Sequence, residues 1–138
     1  MTIALRASLR IALRAGLLYA LAVFALGFVL GTVRVLFLAP RFGETAAVLA
    51  ELPIMLVASW FLCRVILRRR AVPPTLPARS AMGVAAFALL ILAELLLALA
   101  LGRSAAAVLT ALATPAGGLG LVGQLLFALF PLLQRKQR

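Results

Sequence analysis

Residues 33–53 read VRVLFLAPRFGETAAVLAELP, and they decide the fold because they turn one long apolar run back onto another. The stretch carries two arginines and two glutamates in a chain that otherwise largely avoids charge. Arg34 and Glu51, like Arg41 and Glu44, occupy positions that are symmetric about the Phe42–Gly43 bond. In an antiparallel helical hairpin, symmetric positions lie opposite each other. We therefore predict a hairpin with Arg34 facing Glu51 in its interior and Arg41 facing Glu44 at its mouth.

The composition indicates a membrane protein. Of 138 residues, 66% are hydrophobic and 12% are charged, whereas soluble domains have roughly 45–50% and about 25%. The net charge of +11 would suit nucleic acid, but the basic residues flank apolar runs, so we expect no nucleic-acid partner. The absence of histidine and the single cysteine argue against a metal site, and we expect no cofactor. The sequence predicts one transmembrane domain over residues 1–138.

Four apolar runs are long enough to cross a hydrocarbon core of about 30 Å, which takes roughly 20 residues. They cover about residues 17–39, 45–67, 81–101 and 105–130. The fourth is long for a straight span, and Pro115 offers a kink that would absorb the excess. We predict an all-α fold, a polytopic membrane protein with four transmembrane helices arranged as two antiparallel hairpins.

The three connections differ in character. Phe42-Gly43 makes a tight turn in the first hairpin, and Gly102-Arg103-Ser104 does so in the second. Residues 68–80 (RRRAVPPTLPARS) contain three prolines and several arginines, which is typical of an extended linker between hairpins.

The basic residues predict the orientation. Eleven of them belong to the two termini and to the linker region, namely Arg6, Arg10, Arg14, Arg64, Arg68, Arg69, Arg70, Arg79, Arg135, Lys136 and Arg138. Only Arg34, Arg41 and Arg103 belong to the other side. The positive-inside rule then places both termini and the linker in the cytoplasm. The first three arginines share one helix face, which either lies on an anionic cytoplasmic leaflet or, the favoured interpretation, simply fixes the topology.

Glu94 extends the charge pattern to the third span. It precedes its turn by about as many residues as Arg34 precedes the first turn. A charge at the bilayer centre costs about 2.5–3.5 kcal/mol, so we expect Arg34, Glu51 and Glu94 to face inward as one cluster. One arginine against two carboxylates leaves a negative excess. Protonation of a glutamate, an additional cation, or Arg103 reaching inward would each remove it.

Two interpretations of this cluster remain open. In the structural one, Arg34 and Glu51 staple two helices together, and a neutral Glu94 is hydrogen-bonded to Thr110 or Thr114. In the functional one, the two glutamates form a proton or cation site, since charges inside a membrane commonly serve transport.

Other residues add weaker signals. Gln124 is the one amide in the fourth span and a further candidate polar partner. Gly27 and Gly31 form a GxxxG pattern that predicts close helix packing, as do the glycines of the fourth span. Pro53 predicts a kink beside Glu51.

The run RVLFLAPRFGETAAVLAELP, with a following span that ends in WFLCR, resembles a group of small bacterial four-span membrane proteins without an assigned activity. The shared pattern is RVLxLxPRxGE…ELP, and it covers about the first half of the chain. The resemblance implies a multi-pass protein of the bacterial inner membrane. It also implies one motif consisting of Arg34, Pro40, Arg41, Gly43, Glu44, Glu51 and Pro53.

We therefore expect a structural or accessory membrane component, organised by the Arg34, Glu51 and Glu94 cluster, that forms homo-oligomers or joins a larger membrane complex. The alternative is a small proton- or cation-coupled transporter or channel that uses Glu51 and Glu94. An enzyme acting on lipid head groups through Arg41, Arg103 and Glu44 is disfavoured because no nucleophile stands out.

Overall fold

The computed structural model describes residues 2–135, and in these residues it contains helices and no strand. The elements in chain order are α1 (Ile3–Val33), a π-helical segment (Arg34–Leu38), α2 (Ala39–Phe42), α3 (Glu44–Arg69), α4 (Leu76–Ala100), α5 (Ala105–Leu112) and α6 (Pro115–Leu133). Four stretches are long and apolar enough to cross a membrane: the continuous helix Ile3–Phe42, α3, α4 and α6. The all-α class and the four spans are confirmed.

The spans form a four-sided bundle. Helix α1 contacts α3 and α4, and α6 contacts the same two helices. The chain reverses at Gly43 and Gly102, whose φ angles of +84° and +90° favour glycine. These turns make α1–α3 and α4–α6 the two hairpins that the sequence predicts. We call the end with these two turns the turn end. The opposite end, with the start of α1, the 70–75 connection and the end of α6, is the basic end.

The hydrophobic core lies in the half of the bundle nearer the basic end. Its most deeply buried side chains include Ala12, Ala15, Tyr19, Cys63, Met82, Ala86 and Phe127. Tyr19 reaches diagonally across the bundle: its hydroxyl donates to the Phe127 carbonyl at 2.8 Å, and the two rings stack at 4.1 Å. The backbones of α1 and α6 do not approach each other closely. The side chain of Tyr19 therefore provides the link between these two helices.

The closest helix approaches agree only in part with the predicted ones. A Cβ atom on Gly16 would lie 2.8 Å from the Met82 carbonyl oxygen, and one on Gly83 would lie 2.2 Å from that of Ala128. By contrast, a Cβ atom on Gly27 would make only an ordinary contact with a side-chain atom, at 3.5 Å. In the fourth span, Gly123 is buried, and a Cβ atom on it would lie 2.6 Å from Cδ1 of Leu52 on α3. Helix backbones thus meet most closely at Gly16 and Gly83 in the basic half, while Gly123 packs tightly against a side chain in the turn-end half.

Two predicted boundaries were wrong. Helix α4 starts at Leu76, inside the predicted 68–80 linker, because the Thr75 hydroxyl caps it and Pro77 lies in its first turn, where no N–H is needed. The fourth run is broken instead of kinked. Helix α5 ends at Leu112, and Thr114 caps a new helix in which Pro115 is the first residue.

Candidate functional site

Each of the four spans contributes one charged or amide side chain to a common level inside the turn-end half of the bundle: Arg34, Glu51, Glu94 and Gln124. The first three lie six to eight residues from the turn-end terminus of their helices, which corresponds to roughly 9–12 Å along the axes. Gln124 joins this level through its bond to Glu94. We call these four residues the polar layer. Its depth places the four side chains inside the membrane-spanning part of the helices.

Arg34 and Glu51 form the one ion pair among residues 2–135, with 2.7 Å between Nε and Oε2. Their side chains are 27% and 16% exposed, so the pair is largely but not fully enclosed. The two facing atoms are buried, and their contact lacks the alignment of a hydrogen bond. The pair is therefore an electrostatic contact between α3 and the π-helical segment. It joins the two residues whose symmetric positions about the turn predicted that they would face each other.

The backbone at Arg34 departs from the α-helix, a feature that the sequence pattern did not predict. Pro40 has no N–H for the carbonyl of Leu36, and its ring crowds that carbonyl. The chain widens to a π-helix over Arg34–Leu38, and the Ala39 N–H donates to the Arg34 carbonyl instead. The sequence did contain a signal for this irregular backbone, namely Pro40, which follows the intramembrane Arg34 by six residues. The wide turn begins at Arg34 and so sets the direction in which its side chain leaves the helix.

Gly31 has a different role from the predicted one. A Cβ atom built on it would lie 3.6 Å from Nη2 of Arg34. The guanidinium therefore rests beside the bare backbone one turn earlier in the same helix. Among the described residues, no atom of a neighbouring helix lies within 4 Å of this Cβ position, so Gly31 is not a site of close helix packing.

Glu94 is bonded to Gln124, whose Nε2 donates to its Oε2. Neither threonine proposed as its partner reaches it. The Thr110 hydroxyl donates to the Ala106 carbonyl at 2.8 Å, and the Thr114 hydroxyl donates to that of Ala111 at 2.6 Å. Threonine hydroxyls in helices commonly satisfy themselves in this local way. Of the three candidate partners, only Gln124 contacts the glutamate.

The predicted triad is two separate pairs. Arg34 is near enough to Glu94 for an electrostatic interaction, but no ion pair within 4.0 Å joins them. Glu94 is also exposed, which corrects the expectation that it faces inward. One pair thus belongs to the first hairpin and the other to the second, and only long-range electrostatics connects the two.

The second ion pair, expected at the mouth of the first hairpin, is not formed. Arg41 and Glu44 are both exposed, and within residues 2–135 they do not approach within ion-pair distance. The chain reverses at Gly43, the single residue between α2 and α3. An exposed ion pair is worth about 0–1 kcal/mol, too little to hold two long side chains together at such a turn.

Arg79 is a buried cation, although its place in the sequence indicated only a flanking charge. It is 5% exposed. Its donors reach three backbone carbonyls: Nε that of Pro73 at 3.2 Å, Nη1 that of Pro131 at 3.0 Å, and Nη2 that of Val72 at 3.5 Å. Arg79 therefore ties the 70–75 connection to the end of α6, using no carboxylate.

The described residues contain no group of three histidine, cysteine, aspartate or glutamate side chains placed to hold a metal ion. No family model matches the chain, and neither the curated proteins nor the solved structures give a match.

Proposed function

We propose that this protein is a small structural or accessory component of a membrane, and that it acts by associating with further membrane helices. The observation that carries the proposal is the exposed Glu94 and its bond to Gln124 at the depth of the spans. A polar group in contact with lipid tails is costly, and such groups commonly face another helix. An additional helix over this pair would remove that cost.

The sidedness of the protein follows from its charges. Within residues 2–135 all three acidic side chains belong to the turn-end half, while the basic end carries most of the arginines. We place the basic end at the cytoplasmic face of a bacterial inner membrane, where anionic lipids attract arginine. Reporter fusions to the two termini and to residue 103 would test this topology. Cytoplasmic signals at both termini and a periplasmic signal at the turn are expected.

The test of the proposed association is the mass of the particle after gentle purification. We expect more than one polypeptide per particle, either copies of this chain or other membrane proteins, in mild detergent and in lipid nanodiscs. A strictly monomeric protein without a co-purifying partner in both media would contradict the proposal.

A second candidate function is proton- or cation-coupled transport. It is favoured by the spread of the polar layer over all four spans and by the partial exposure of the Arg34–Glu51 pair. The Glu94→Gln variant distinguishes the two functions. Transport through Glu94 predicts ion flux in proteoliposomes that this variant abolishes without changing assembly. A structural role predicts no flux from the parent protein either.

A further inference from the structure

The seam between α4 and α6 is closed at one end and open at the other. Near the basic end, Gly83 lies so close to α6 that a Cβ atom would be 2.2 Å from the Ala128 carbonyl oxygen. Glu94 follows Gly83 by eleven residues, about three helical turns, and so lies on the same side of α4. Gln124 precedes Ala128 by one turn on α6. Although this seam is tight at Gly83, Glu94 is exposed on it.

The open part of the seam has unused hydrogen-bonding capacity. An amide side chain has two N–H donors and one acceptor, and a carboxyl group has two oxygens. Gln124 gives one N–H to one oxygen of Glu94. Among residues 2–135, no further hydrogen bond involves either side chain. Donor and acceptor atoms thus remain free on the same small surface, at a depth where lipid tails offer no partner.

We propose that a second copy of this chain covers the open seam, in a two-fold symmetric dimer whose axis runs along the membrane normal. This inference rests on the proposed function and names its partner. A two-fold axis through the seam places α4 of each copy opposite α6 of the other. Glu94 then faces Gln124 of the second copy, and the same contact repeats on the other side of the axis.

The depth of the Glu94–Gln124 pair in the membrane and its free hydrogen-bonding atoms both favour a second copy of this chain as the partner. Two identical chains of the same orientation carry the same pair at the same depth, so neither copy has to shift in the membrane. The spare N–H of each Gln124 meets the spare oxygen of the other copy's Glu94, which closes a ring of four side chains. A surface that carries both donor and acceptor is self-complementary, as an isologous interface requires.

Disulfide cross-linking between two differently tagged copies tests the dimer. Both copies carry Cys63→Ala, which removes the native thiol. One copy also carries Ala98→Cys, on the same side of α4 as Glu94 and one turn nearer the turn end. The other carries Leu121→Cys, on the Gln124 side of α6 and nearly one turn nearer that end. After oxidation in native membranes, we expect a cross-linked species that carries both tags.

The matched control moves the α6 cysteine by one residue. Val122 is 52% exposed and points to the side of α6 away from Gln124, because two residues rotate a helix by about 200°. With Val122→Cys instead of Leu121→Cys, we expect loss of the cross-linked species. In the cysteine pair that does cross-link, Gln124→Leu should abolish the product, whereas Glu94→Gln should keep it, since an amide donates and accepts.

The outcomes separate this inference from the proposed function. Cross-linking that favours Val122→Cys, or a particle of several copies that gives no Ala98–Leu121 product, overturns the seam dimer and leaves the association proposal standing. A single copy bound to a different membrane protein does the same. A single copy alone in nanodiscs, with no cross-link in membranes, overturns both.

Discussion

The two ends of the bundle satisfy an enclosed arginine in opposite ways. At the basic end, Arg79 is bound only by backbone carbonyls. These carbonyls are free because Val72 and Pro73 lie outside helices and Pro131 lies in the last turn of α6, where carbonyls lack helical partners. At the turn end, Arg34 faces the carboxylate of Glu51. The first arrangement fixes backbone segments relative to each other, and the second fixes two side chains.

Packing follows the same division. Around Arg79 the helices approach closely at Gly16 and Gly83, and the Tyr19 ring joins α1 to α6. Around the Arg34–Glu51 pair the side chains stay partly exposed, and α5 has no buried residue. Close backbone packing and most of the buried core therefore lie at the basic end, while the turn end keeps polar groups available for other helices.

The largest effect is expected from Arg79→Met, which keeps the length of the side chain and removes every donor. Hydrogen bonds from a charged group are worth about 1.5–3 kcal/mol each. Since their acceptors gain some water in the variant, we expect a net loss of about 3 kcal/mol in the free energy of unfolding. Unfolding in mixed micelles of rising SDS content, followed by Trp60 fluorescence, measures it. Trp60 suits this purpose because its ring contacts Phe130 at 5.2 Å, at the same end.

Arg79→Lys is the matched control for that variant. A lysine keeps the charge but presents one compact ammonium group in place of the planar fork that spans three carbonyls. Its stability should fall between those of the parent and Arg79→Met. Equal stability of all three proteins would mean that the carbonyl contacts contribute nothing and that the two ends do not differ as described.

A second large effect is expected from Gly83→Ala. The new Cβ atom would lie 2.2 Å from a backbone oxygen of α6, so the two helices must separate. Overpacking of this kind costs about 1–3 kcal/mol. Gly118→Ala is the control, because among the described residues nothing lies within 4 Å of the position that its new Cβ atom would take. The same unfolding assay should show no loss for Gly118→Ala, and equal losses would contradict the tight seam.

The contrast between the ends also explains what the sequence could and could not predict. Pairing of Arg34 with Glu51 was predictable because both residues lie within about two turns of the single short turn at Gly43 that joins their helices. Gln124 was one of three candidate partners of Glu94, but the sequence could not select it over Thr110 and Thr114, since the fourth run breaks at Thr114 and the register of α6 then no longer follows from counting residues. The burial of Arg79 could not be predicted, because the positive-inside rule uses only the number of basic residues on each side of the membrane and says nothing about their burial.

A smaller effect is expected for the ion pair of the polar layer. Arg34→Met and Glu51→Met each leave one charge without its partner, while the double variant leaves neither. We expect the single variants to lose about 1–2 kcal/mol in the free energy of unfolding and the double variant to lose less than their sum, with a coupling of about 1 kcal/mol. A coupling near zero would mean that the 2.7 Å contact contributes no stability.

The smallest effect is expected at Arg41 and Glu44, which have the same mirror relationship as Arg34 and Glu51 but lie exposed at the Gly43 turn. Each residue still has a favourable position, because Arg41 is in the last turn of α2 and Glu44 is in the first turn of α3. Replacing either by alanine should cost a few tenths of a kcal/mol, roughly 0.3 to 0.5, through the helix dipole.

The two losses should simply add, because within residues 2–135 the side chains form no ion pair. The coupling in a double-variant cycle should therefore be zero within the error of the assay, against about 1 kcal/mol for the deeper pair. If the coupling between Arg41 and Glu44 were as large as that between Arg34 and Glu51, then opposite positions in the hairpin would be sufficient for the two side chains to interact. If the coupling is zero for Arg41 and Glu44 but measurable for Arg34 and Glu51, the interaction depends on depth in the membrane. At that depth neither charge has water as an alternative partner.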